Sequence, residues 1–300
     1  MSNSIEIYIV NVTLAVFMSL NLFDMGLRLN CQEAIEGLRN ARFVVLTLIW
    51  GYVLCPGLGY LLTRVVPLEQ SYSAGMILVA MAPGATFLPA LVNKARGDLS
   101  YVAPFSLLTS VVTVVFLPFA VPVLAKGIPA DTWTVGKPLL LLVMLPMLIG
   151  LAVQSISPLI ASRVAPFGDN ALKFMTAFLL ILVFSTSFYA RGVLASIGAY
   201  AIGTQLLFYA MSSAGSYWLS PGLKTGQKSV LSLGMSTRNL GAAFAPFLAI
   251  PHVDQQAMVM VTVAIPIQLI VASFAARQFA RRALAFGTND DCSIERSGLR

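Results

Sequence analysis

Runs of roughly 20 apolar residues, each closed by a short polar stretch, recur along the whole chain: 6–29, 41–64, 71–93, 99–125, 135–157, 169–190, 194–219, 228–250 and 255–280. A bilayer core about 30 Å thick takes about 20 helical residues to cross, so the pattern predicts an all-α membrane protein of about nine spans. The connections are short. The last stretch, 287–300, is polar and reads as a disordered cytoplasmic tail, which leaves residues 1–286 as a single transmembrane unit.

Two of the nine runs are interrupted near their middles. In the third, Pro83, Gly84 and Pro89 flank Thr86; in the eighth, Gly234, Ser236, Thr237, Asn239 and Gly241 surround Arg238. Proline removes a backbone donor and glycine weakens a helix, so both runs predict discontinuous spans. Irregular backbone at membrane depth is tolerated only inside protein or along a wet cavity. Arg238 sharpens the point, because arginine keeps its charge at any physiological pH and costs about 2.5 to 3.5 kcal/mol at the centre of a membrane helix. Paired broken spans suggest two halves. Spans one to four match spans six to nine around the fifth, an offset that gives the halves opposite orientations and places a binding site where the broken helices meet. The plainer alternative is that glycine and proline are simply commoner in membrane helices.

Composition agrees with the pattern, the chain being 58% hydrophobic and 10% charged with a mean hydropathy of +0.84; soluble domains carry about 25% charged residues. The net charge of +7 does not indicate nucleic acid, because its distribution follows the loops. With the amino terminus outside, fourteen of the nineteen Lys and Arg face the cytoplasm, and only Arg64, Lys126, Lys137 and Arg191 face out. That bias predicts an amino terminus out and a carboxyl terminus in, across a cell inner (plasma) membrane. No basic residue precedes Arg28, so the first run is expected to be a retained span rather than a signal peptide. Cys31, Cys55 and Cys292 are too few and too scattered for a disulfide framework or a metal site.

The segments LFDMGLRL at 22–29, APGATFLPALVNKARGDLS at 82–100 and GMSTRNLGAA at 234–243 resemble the bile acid:sodium symporter family, whose superfamily also holds arsenite and auxin-type carriers. The resemblance implies a panel domain packed on a core domain, two broken helices crossing in the core, and alternating-access transport of a small organic anion. It also implies sodium sites, and here the sequence departs. Leu88 and Pro89 stand where the family has a Ser and an Asn, Gly51 stands where it has a Gln, and no carboxylate occupies the family's Glu position in the eighth span. Ser106 and Asn239 remain. Hard cations need a cage of oxygens, so the expectation is a carrier without the usual sodium sites. Arg238 would then supply the positive charge in fixed form. The candidate substrate or ion ligands are Arg238, Asn239, Thr237, Ser236, Thr86 and Ser106.

Asp24 and Arg28 are spaced i, i+4 in the first run, which suits an ion pair; a proton-carrying Asp24 is the alternative. Asp98 is placed to cap the fourth span. No GxSxG, HExxH or paired catalytic carboxylates occur, so no enzyme, cofactor or metal is expected. The expected partners are a small organic anion and the lipid bilayer. A membrane-embedded sensor or scaffold that kept the fold without transport is the competing class.

Overall fold

The computed structural model describes residues 2–84, 87–125, 131–189, 199–249 and 255–297. Among the described residues the chain is helical, and its only extended contact is a two-residue bridge between Pro83 and Arg238. The helices are α1 (Ser2–Arg28), α2 (Cys31–Leu38), α3 (Ala41–Val65), α4 (Gln70–Ala80), α5 (Leu88–Lys94) and α6 (Leu99–Leu124). They continue as α7 (Thr132–Ile156), α8 (Pro158–Tyr189), α9 (Ala199–Trp218), α10 (Thr225–Met235), α11 (Leu240–Phe244) and α12 (Gln255–Ser297).

By length and composition four described helices can cross a membrane: α3, α6, α7 and the Gln256–Leu284 part of α12. The bent pair Val12–Arg28 and Cys31–Leu38, 80° apart, makes a fifth if counted as one span. The sixth and seventh runs fall partly outside the described residues, and the other differences from nine have physical reasons. The third and eighth runs are split into pieces too short to cross alone. The buried side of α9 carries Thr204, Gln205, Ser212, Ser213 and Ser216, which dilutes its apolar character. The turn read as a loop after the first run contains α2, an extra helix capped by Asn30, whose side chain accepts the Gln32 and Glu33 amides at 3.0 and 3.5 Å. At the other end, α12 runs past residue 286 to Ser297.

The helix starts follow the sequence. Asn40 accepts the Phe43 amide at 3.2 Å to open α3, Asp131 accepts the Thr134 amide at 3.1 Å to open α7, and Asp98 accepts from the Ser100 amide and hydroxyl at 3.2 and 2.6 Å to open α6. Two spans widen into π-helical turns, Trp50–Leu54 in α3 and Leu139–Met144 in α7, and a proline follows each closely, Pro56 and Pro146. Proline lacks the N–H that would continue the ladder and crowds the carbonyl four residues back, and the wider turn relieves that strain.

The two broken segments lie at the centre. Every residue of α4 from Ala74 to Ala80 and of α10 from Ser229 to Met235 is buried, the pattern of a helix enclosed on all sides. Elsewhere α1 and α7 meet backbone to backbone at Gly26 and Gly150. A Cβ on Gly26 would lie 2.2 Å from the Met147 carbonyl oxygen, and one on Gly150 2.3 Å from that of Phe23. Gly26→Ala is therefore expected to cost about 1 to 3 kcal/mol by overpacking, read as an earlier thermal melt of the purified protein. An unchanged melt would mean that the helices do not approach this closely. On either side of Gly26 in α1, Arg28 binds the buried Asp24 through Nε at 2.9 Å and Nη2 at 3.2 Å, the ion pair expected from their spacing.

Candidate functional site

The first break follows Met81, which caps α4, and the second runs from Ser236 to Asn239 between α10 and α11. Main-chain hydrogen bonds join them. The Asn239 amide donates to the Ala82 carbonyl at 2.9 Å, and the Gly84 amide lies 3.0 Å from the Thr237 carbonyl and 3.2 Å from that of Gly234. Gly84 has φ +88°, a conformation natural to glycine. Its missing side chain also makes room, since a Cβ there would lie 3.0 Å from the Thr109 hydroxyl oxygen and 3.2 Å from the Phe105 ring. Gly234 is tighter still: a Cβ would fall 2.2 Å from the Phe105 ring. Both glycines are therefore required by close approach, and Phe105 of α6 is the wedge that fits against the two breaks.

The polar side chains of the second break divide by task. Ser236 donates to the Leu233 carbonyl at 3.1 Å, and Thr237 donates to the same carbonyl at 2.9 Å. These hydroxyls close the end of α10. Asn239 begins α11 by accepting the Ala242 amide at 3.2 Å. Gly241 is buried against α1, where a Cβ would meet Leu22 at 3.2 Å. Of the remaining candidates, Ser106 and Pro89 line a cavity of about 220 Å³ together with Arg28 and Met25, apart from the Arg238 guanidinium. Thr86 lies outside the described residues.

Arg238 is the largest fully buried side chain, 1% exposed. Its backbone N–H donates to the Gln268 side-chain oxygen at 2.6 Å, but Nε, Nη1 and Nη2 have no hydrogen-bond partner among the described residues. The guanidinium lies over the Phe208 ring, 4.8 Å from its centroid, and Tyr52 and Tyr209 are near enough to feel its charge. The Tyr209 hydroxyl is also buried without a hydrogen-bond partner among the described residues; elsewhere on α9, Gln205 donates through its amide nitrogen to the Met260 carbonyl at 2.6 Å. Tyr52 is different: its hydroxyl sits 2.6 Å from the Thr109 carbonyl and 2.8 Å from the Thr113 hydroxyl.

Magnitudes say what holds the charge there. A desolvated cation–π contact contributes about 2 kcal/mol, whereas burying an ion costs several kcal/mol. The ring alone does not suffice. Two helix carboxyl ends, those of α4 and α10, point into the breaks, and each carries roughly half a negative charge. No buried carboxylate is found beside it among the described residues, the buried Asp24 being committed to Arg28.

A family model described as the sodium bile acid symporter family matches residues 15–195, more than half of the chain and including the first break. The chain belongs to this family. Its members are transporters, not enzymes. The second break lies beyond the matched residues. The chain is 21% identical over 231 residues to the probable sodium/metabolite cotransporter BASS3, chloroplastic, of Arabidopsis thaliana, covering 76% of this chain and 53% of the relative. It is 22% identical over 241 residues to the probable sodium/metabolite cotransporter BASS2, chloroplastic, of Oryza sativa subsp. japonica, covering 77% and 57%. An uncharacterized sodium-dependent transporter of Bacillus subtilis, YocS, is 24% identical over 142 residues, covering 47% and 44%. The chain thus spans about half the length of the curated relatives it matches.

Four residues of the Arg238 environment escaped the sequence: Gln268, Phe208, Tyr52 and Tyr209. A faint signal existed, since Gln268 is an amide inside an otherwise apolar run. In a membrane such groups call for partners as charges do.

Proposed function

We propose that this member of the sodium bile acid symporter family is a secondary active transporter that moves a small organic anion by alternating access without the usual sodium sites. In this reading nine spans form an inverted repeat, four and four around the fifth. The chain lies in a cell inner membrane with its amino terminus out and residues 287–300 as a cytoplasmic tail. The observation that carries the reading is the pair of breaks joined through Pro83 and Arg238, with a fully buried arginine as part of the second break. Helix carboxyl ends stabilise a cation, and a covalently held one makes a dissociable one redundant.

The surroundings support the absence of sodium ligands. Leu88 is buried and apolar. A Cβ on Gly51 would lie 3.2 Å from Pro83 and 3.6 Å from Met235, so Gly51 borders the breaks with no side-chain oxygen to offer. Ser236 and Thr237 position the second break, Ser106 faces the neighbouring cavity, and Arg238 with Asn239 is the anion-recognising pair of this reading, Thr86 being a further candidate by sequence alone. The relatives named above carry sodium in their names; the difference proposed for this chain rests on its own residues. Purified protein in liposomes is expected to take up or exchange labelled small carboxylates equally well in sodium and in potassium buffers. A steep sodium dependence would overturn the reading, because it would mean that backbone carbonyls alone complete the cage.

A further inference from the structure

A second feature lies away from the breaks, where the start of α3 meets the turn after α9. Ala41, Arg42, Val45, Leu46, Pro221 and Gly222 line a groove of about 570 Å³ on the surface. Its walls are apolar except for Arg42. The Arg42 guanidinium lies against Gly222, whose φ is +77° and where a Cβ would fall 2.7 Å from Arg42 Nη1. The glycine thereby seats the arginine at the rim. Among the described residues no hydrogen bond or ion pair engages this guanidinium, and the side chain is exposed.

Its level along the membrane normal follows from the helices that end there. Arg42 is the second residue of a span that opens at Ala41, and the opposite wall follows Trp218, the last residue of α9. Trp218 is 63% exposed and holds Arg282 4.4 Å from its ring, an aromatic and cationic pairing typical of headgroup depth. A groove there has lipid as its neighbour, with the apolar wall at acyl depth and the cation at phosphate depth.

We infer that this groove binds one anionic phospholipid, its phosphate on Arg42 and the upper part of an acyl chain along Val45, Leu46 and Pro221. The inference is independent of the transport reading and is tested without it. The purified protein is incubated with palmitoyl-oleoyl phosphatidylglycerol or with the zwitterionic phosphatidylcholine of the same chains, and retained lipid is counted by native mass spectrometry. The wild type is expected to retain the anionic lipid about fivefold better, the preference that one interfacial cation supplies. Arg42→Gln should abolish the preference and Val45→Trp, which fills the groove, should reduce both adducts. Arg39→Gln, removing an exposed cation outside the groove, should leave the preference intact. Equal retention by the wild type, a preference that survives Arg42→Gln, or its equal loss in Arg39→Gln would overturn the inference. So would displacement of the adduct by glycerol phosphate at the concentration of the whole lipid, which would assign a free-phosphate site.

Discussion

Arg238→Gln is expected to fold, melt no earlier than the parent and bind anionic substrate roughly tenfold to a hundredfold more weakly, the loss of one charge-assisted contact of about 1.5 to 3 kcal/mol. The two halves of this expectation have separate causes. Stability should hold because the guanidinium has no hydrogen-bond partner among the described residues, so removing it relieves desolvation. The lost Phe208 ring contact, about 2 kcal/mol, and the small void left by the shorter side chain, about 1 kcal/mol, work against that relief of several kcal/mol. Affinity should fall because the remaining nearby groups, Tyr52 and Tyr209, are neutral. Arg238→Lys separates charge from shape: it keeps the cation and loses the planar fork that matches a carboxylate. It is expected to fold and transport poorly. Isothermal binding and thermal melts of the three proteins check both halves. Unchanged affinity with a much earlier melt in both variants would make Arg238 a structural brace.

The second large effect belongs to Gly234. Its Cβ position lies 2.2 Å from the ring of Phe105, which is fully buried and cannot swing into open space. Gly234→Ala should therefore push α10 and α6 apart or distort the second break, at about 1 to 3 kcal/mol for overpacking. Because the same glycine carbonyl lies 3.2 Å from the Gly84 amide, the displacement should reach the first break and abolish transport. Phe105→Leu removes the ring and should restore part of the activity in the double variant while costing stability alone. Such non-additivity is what residues in contact show. Purely additive effects would mean that the ring and the glycine do not meet.

Much of this site was legible because the sequence breaks its own rules there. A charge in an apolar run marks Arg238, and Pro83–Gly84 and Gly234 mark the interruptions. That the two breaks meet was suggested by their equivalent positions, and the hydrogen bonds between Ala82, Gly84, Thr237 and Asn239 give that suggestion a geometry. The tasks of the polar residues were not legible. Ser236 and Thr237 looked like ligands, yet their hydroxyls close a helix end, a local option that no count of oxygens distinguishes. Gln268 accepts the Arg238 amide across 30 residues, and a single amide in an apolar run gives no hint of its partner. The segment Cys31–Leu38 has apolar residues at helical spacing, Cys31, Ala34, Ile35 and Leu38, yet at eight residues it is too short to span a membrane, so it read as part of the loop after the first run. The π turns before Pro56 and Pro146 were hidden for another reason: a proline announces a disturbance without naming its form.

The central claim is that a tethered cation occupies the electrostatic role of a dissociable one. Equilibrium binding of radiolabelled sodium to the purified protein, with potassium as competitor, tests it most directly. No saturable sodium binding by the wild type is expected, because the oxygen cage is missing and Arg238 already holds a positive charge in the second break. Saturable binding of about one sodium per chain at an intact Arg238, displaced by unlabelled sodium and not by potassium, would contradict it.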